Sequence, residues 1–197
     1  MQGDVFMDTH DFKNGPTRAY FDGSGDYLEL EDSNDWDLGS GNFTLDFWAK
    51  FDGIPQTTQL IGQWETGDRS FLLEWDAAQK KLNFYYELEG DMNSHVLSFD
   101  WQASGGIWQH VALVRHGNEI NAFINGAQIG QTQTLTGTLR NSSSSLKIGA
   151  GLKGWLDEFR LSQGIARWTS AFDPEKTLNL SDDKVKLWIF RQNKPGN

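Results

Sequence analysis

The side chains best suited to recognition in this sequence are polar groups set among aromatic rings. Glu74, Asn83, Tyr85 and Glu87 occupy matching phases of two neighbouring alternating stretches, and Trp64 and Arg69 lie just ahead of them. Aromatic rings cover the apolar C–H faces of sugars while amides and carboxylates read the hydroxyls, so this set is the candidate ligand-binding site for a glycan. Catalytic chemistry finds less support. His10, His95, His110 and His116 are scattered, none at zinc-ligand spacing, and no Gly-x-Ser-x-Gly elbow occurs. Cysteine is absent, which removes disulfides, thiolate metal sites and thiol nucleophiles.

Charge and composition narrow the partners. The formal net charge of −10 repels phosphate backbones and anionic lipid, which argues against nucleic acid and membrane insertion, and it favours cations. No apolar run approaches a membrane span, and mean hydropathy is −0.56. The first ten residues lack the basic and apolar regions of a signal peptide. Without a secretory signal the sequons at Asn42, Asn141 and Asn179 carry little weight.

The elements that must position these side chains are strands. Phe43, Leu45, Phe47 and Ala49 fall on one face of a period-two stretch; Phe71, Leu73 and Trp75 repeat the pattern opposite Leu72, Glu74 and Asp76. Leu82, Phe84 and Tyr86 follow, opposite Asn83, Tyr85 and Glu87. His110 to Arg115 is apolar on both faces, hence central, and Asn125-Gly126 ends the next strand as a hairpin signal. Further strands read at 18–21, 27–30, 58–64, 94–101, 127–134, 145–149, 154–161 and 184–191, with glycine-bearing turns between them. Only Gln163 to Ser170 could form a short helical turn. Many strands without crossover helices imply an all-β, two-sheet antiparallel jelly-roll sandwich, one domain over residues 1–197 with 1–17 a shortened edge strand or loop.

Four stretches in order carry a resemblance. Ala19-Tyr-Phe-Asp-Gly-Ser-Gly-Asp-Tyr-Leu28, Phe43-Thr-Leu-Asp-Phe-Trp48, Trp108-Gln-His-Val-Ala-Leu-Val-Arg115 with Ala122-Phe-Ile-Asn-Gly126, and Gly154-Trp-Leu-Asp-Glu-Phe-Arg-Leu161 resemble the laminin-G-like modules of the concanavalin A-like lectin/glucanase superfamily. The resemblance implies the jelly roll, and it makes His110 a satisfied core histidine of the family's structural strand; Trp48, Trp108 and Phe123 are expected to be buried, Trp108 opening a strand beside a Gly-Gly turn and Phe123 lying in a hairpin arm. It implies one structural Ca²⁺ held by Asp22, the Gly25 carbonyl and Asp157, with Asp26 and Glu158 as alternative ligands. Asp32 to Gly39 and Leu161 to Pro174 are similar to modules of phage virion and bacterial surface proteins, which implies an extracellular or virion-associated place, a cell-surface polysaccharide or glycan as ligand, and other virion proteins as possible partners. Family-16 glycoside hydrolases of this superfamily use Glu-x-Asp-x-x-Glu. Here Glu74-Trp-Asp76-Ala-Ala-Gln79 ends in Gln, which cannot act as an acid, so no catalysis is expected.

Overall fold

A computed structural model describes residues 1–8, 13, 18–91, 93–176 and 182–189. The first strands are β1 (Phe6–Asp8), β2 (Arg18–Asp22), β3 (Leu28–Leu30), β4 (Phe43–Phe51) and β5 (Thr58–Glu65). β6 (Asp68–Asp76), β7 (Lys81–Glu87), β8 (Ser94–Asp100), β9 (Gln109–His116) and β10 (Glu119–Ile124) form the middle of the chain. β11 (Ala127–Thr134), β12 (Leu146–Ala150), β13 (Lys153–Gln163) and β14 (Val185–Ile189) complete the set. The expected last strand therefore holds over its described part, and residues 190–191 lie outside the described residues. The expected helical turn at 163–170 does not form; short 3-10 turns stand instead at Asn34–Trp36 and Pro174–Lys176.

Among the described residues the strands make two antiparallel sheets. One has the order β1-β2-β13-β4-β9-β10-β11, with β14 also on β13; the other runs β3-β12-β5-β6-β7-β8. The alternating residues bury as their phase dictates: Phe43, Leu45, Phe47, Phe71, Leu73, Trp75, Leu82, Phe84 and Leu113 fill one core between the sheets. Arg115 shares the core-facing phase of β9 and is 1% exposed. Its guanidinium donates to the carbonyls of Gly39, Leu135, Gly137 and Gly117, so the buried charge is fully engaged. Asn125 (φ 51°) and Gly126 (φ 79°) both take the left-handed conformation that the hairpin between β10 and β11 requires.

The central strand is apolar on both faces because its outer face is also covered. The chain from Gly164 to Asp173 crosses it, where Trp168 and Phe172 stack at 3.9 Å and 7° and pack with Ala112, Val114 and Phe123 as a second small core. Phe123 and Trp48 are buried as expected, whereas Trp108 is only half-buried. Under this cover Asp46 and Arg160 form a bidentate pair at 2.9 and 2.8 Å. His110 is buried beside them, its Nε2 3.5 Å from Asp46, but its Nδ1 has no hydrogen-bond partner among the described residues, so it is not the fully satisfied core histidine expected.

Candidate functional site

The candidate set falls together on the outer face of the six-stranded sheet. Pairing of β6 with β7 places Glu74 opposite Asn83 and Leu72 opposite Tyr85. Pairing with β8 extends these rows to Ser98 and Val96, and sets Glu87 opposite Ser94. A bulge in β6, where one residue of β5 faces two, places Arg69 opposite Trp64. The Trp64 and Tyr85 rings stand 6.0 Å apart, tilted by 47°, and the Arg69 guanidinium lies 5.3 Å over the indole.

Hydrogen bonds fix the polar members. Ser98 Oγ donates to Asn83 Oδ1 at 2.7 Å, and Asn83 Nδ2 donates to the Tyr85 hydroxyl at 3.3 Å. Glu87 is buried and accepts from Ser94 Oγ at 2.9 Å and from Arg140 at 3.2 Å, with Arg69 at 3.8 Å. Arg140 reaches it because the 137–145 loop runs along β7, its Arg140 N donating to the Glu87 carbonyl at 2.9 Å. Burial, with the Asp76 charge, pushes the Glu74 carboxyl up, and a hydrogen bond with Tyr85 acts the other way. Burial and the Glu74 charge likewise push the Tyr85 hydroxyl up. Asp76 shares the outward face of β6 but accepts from Ala78 N at 2.9 Å and Gln79 N at 3.0 Å, so it caps the turn that contains Gln79.

The expected calcium ligands do not come together. Asp22 pairs with Lys153, while Asp157 lies four residues further along β13, roughly 13 Å away at strand spacing. Asp22 is exposed and its Oδ1 accepts from Ser24 N at 2.6 Å. Gly25 lies at the exposed tip of that turn with φ 77°. Asp157 is buried, and accepts from Glu158 N at 2.8 Å and Lys13 N at 3.1 Å. The alternatives are engaged too: Asp26 accepts from Asp4 N and Asp22 N at 2.6 and 2.7 Å, and Glu158 from the Trp188 indole at 2.7 Å. Backbone N–H groups thus occupy carboxylate oxygens expected to hold the ion. Among the described residues no group of three or more His, Asp or Glu could hold a metal.

Comparison with known proteins places the chain. A family model described as the concanavalin A-like lectin/glucanases superfamily, laminin-G type, matches residues 22–167. The chain belongs to this superfamily. As a laminin-G-like module it is 26% identical over 135 residues to mouse pappalysin-1, covering 62% of this chain but 8% of that protein. The fold is shared with domain 4 of AbnA, an extracellular arabinanase of Geobacillus stearothermophilus solved with arabinotriose (TM-score 0.64, 16% identity, 83% of this chain and 77% of that one). It is shared also with a structure of botulinum neurotoxin type C, whose cell entry depends on two ganglioside molecules (TM-score 0.59, 14% identity, 89% and 43%). The binding domain of botulinum neurotoxin DC, solved with rat synaptotagmin II, is similar again (TM-score 0.60, 13% identity, 89% and 44%). The laminin-G-like chain thus spans a small part of pappalysin-1 and under half of the neurotoxin chains. No helix among its described residues is long and apolar enough to cross a membrane.

Sequence reasoning missed two features of the module. Arg140 sits in a stretch that reads only as a polar loop. On the other sheet Phe6, Tyr20 and Trp155 form a tilted aromatic row at 4.9 and 5.0 Å, with Arg18 4.7 Å over the Trp155 ring. The row depends on registers between segments far apart in the chain, which no local pattern encodes.

Proposed function

We propose that this laminin-G-like chain is a non-catalytic, lectin-like module that binds a cell-surface glycan through the outer face of its six-stranded sheet, outside cells or on a virion surface. One observation carries the reading: Trp64 and Tyr85 stand together on that face with Glu74 and Asn83 in the adjoining row. Ring faces take sugar C–H groups and the amide and carboxylate take hydroxyls. Two similar folds point the same way, one solved with arabinotriose and one entering cells through gangliosides. Binding without hydrolysis is supported by Asp76 capping a turn and by Gln79 at the position where a second acid would be needed. A glycan array followed by calorimetry tests the reading. Trp64→Ala and Tyr85→Ala should each weaken the best ligand by about 1 kcal/mol or more without unfolding the protein. Equal affinity in both variants overturns the site.

A second reading is a structural role against other virion subunits. It is favoured by Phe6 and Met7, 51% and 43% exposed on edge strand β1. An array without any binder, together with co-assembly that a Phe6→Asp change abolishes, would support it.

A further inference from the structure

One edge of the larger sheet is β1. On one side β2 holds it, with Phe6, Met7 and Asp8 opposite Tyr20, Ala19 and Arg18; among the described residues no strand lies on its other side. In an antiparallel pair alternate residues turn their N–H and C=O away from the partner, so β1 presents backbone groups to an incoming strand. Its side chains are uncovered on both faces. Met7 shares the core-facing phase of fully buried Ala19, yet it is 43% exposed. Phe6, on the outer face, is 51% exposed and stands at the open end of the aromatic row through Tyr20 and Trp155. Beside Phe6 stand two acids. Asp4 N and Asp22 N donate to the two oxygens of the one buried Asp26 carboxylate, which holds both residues next to each other. Asp4 and Asp22 are exposed, and no ion pair engages either among the described residues. Burial, then the Asp52, Asp22 and Asp26 charges, push the Tyr20 hydroxyl up, as a negative potential along this edge requires.

We propose that β1 is the docking edge for an extended, basic segment of a partner protein, which adds to the sheet as a further antiparallel strand. Backbone hydrogen bonds along the edge hold such a strand, and its alternate side chains select it. A ring opposite Phe6 carries the aromatic row on by one strand. The residue before it, on the other face, covers Met7. Two positions after the ring, on the same face, a Lys or Arg meets Asp4 and Asp22. Charge decides the occupant. A second copy of this chain carries the same two acids on the same edge and a net charge of −10, so self-pairing sets like charges together, whereas a cationic strand neutralises them. The proposal rests on the subunit reading above, to which it gives a mode of contact and a partner chemistry. It is independent of the Trp64–Tyr85 face.

The test is a titration of the ¹⁵N-labelled protein with the end-capped peptide Gly-Thr-Val-Tyr-Val-Arg-Lys, following the amide signals of Phe6, Met7 and Asp8 and the indole signal of Trp64. The three amides should shift saturably while Trp64 stays still. Two methylated peptides then read the geometry, one carrying N-methyl on both Val residues and the other on Thr, Tyr and Arg. Only one phase of the peptide faces β1, so one of them should lose binding and the other keep it within about threefold. Replacing Arg-Lys by Glu-Glu should weaken binding about tenfold at low salt, and Asp4→Asn with Asp22→Asn should weaken the parent peptide by about as much. Phe6→Asp should abolish the shifts; if that variant does not fold, the methylated peptides decide alone. The proposal is overturned if the amides do not shift, if both methylated peptides bind equally, or if the Glu-Glu peptide binds as well as the parent. A dimer of the free protein in sedimentation, dissociated by Phe6→Asp, would make a second copy the occupant and overturn it too. If the peptide fails while Phe6→Asp still abolishes co-assembly, the strand mode falls and the subunit reading stands.

Discussion

At the scale of single residues, the Asp46–Arg160 pair is a charged contact with both partners almost wholly buried. Burial on its own would raise the Asp46 carboxyl, but the Arg160 guanidinium and His110 outweigh it and hold the carboxyl below its usual range. A depressed folded value means that the pair's contribution is present above the unfolded carboxyl range, near pH 4, and is lost as pH falls through the folded value. Asp46→Asn should cost about 3–5 kcal/mol near neutrality, since it removes the buried carboxylate that pairs with Arg160. Melting curves from neutral pH into acid should show the gap between parent and variant narrowing; a gap independent of pH would refute the coupling. Asp22 and Asp157 give a second test. Because they stand apart, Asp22→Ala and Asp157→Ala should be additive within about 0.5 kcal/mol in urea unfolding, with Asp157→Ala much the more costly. A coupling above about 1 kcal/mol would restore the shared ion.

Among the elements, the strap from Gly164 to Asp173 makes the central strands a two-sided core, and Phe123 is the residue that feels it. Fully buried against Phe172 at 5.5 Å, it should cost about 3–5 kcal/mol when cut to Ala, and an unchanged melting temperature would show that the strap does not seal that face. The strands themselves could be read from alternation, because a half-buried strand must put every second side chain into the core. That same alternation put Glu74, Asn83, Tyr85 and Glu87 on one face. The separation of Asp22 and Asp157 could not be read from the sequence, because which residue of β2 stands opposite which of β13 depends on pairing between segments more than a hundred residues apart. Against β4, β13 also carries a bulge between Asp157 and Arg160. Within that bulge Glu158 takes φ 49°, a conformation that costs a non-glycine residue about 1–3 kcal/mol and that local sequence gives no reason to expect. The strap was equally hidden: its apolar residues have no period, and their contacts form only once the sheet exists.

The whole molecule is acidic, with a formal charge of −10, yet the Trp64–Tyr85 face sets Arg69 and Arg140 beside Glu87. Affinity for a neutral glycan should therefore change little across a tenfold range of ionic strength, whereas a steep dependence in calorimetry would mean an ionic ligand and a different mode of recognition. The pairing along β13 reaches beyond binding. Ala19 pairs with Leu156 and Ile189 with Phe159, so β14 and β2 lie in line on one edge of the same strand, the end of one facing the start of the other. β1 then carries the first residues back along β2 to the β2–β3 turn, where Asp4 N donates to Asp26 and Gln2 bridges to Tyr27, so they lie at the opposite end of β2 from the end of β14.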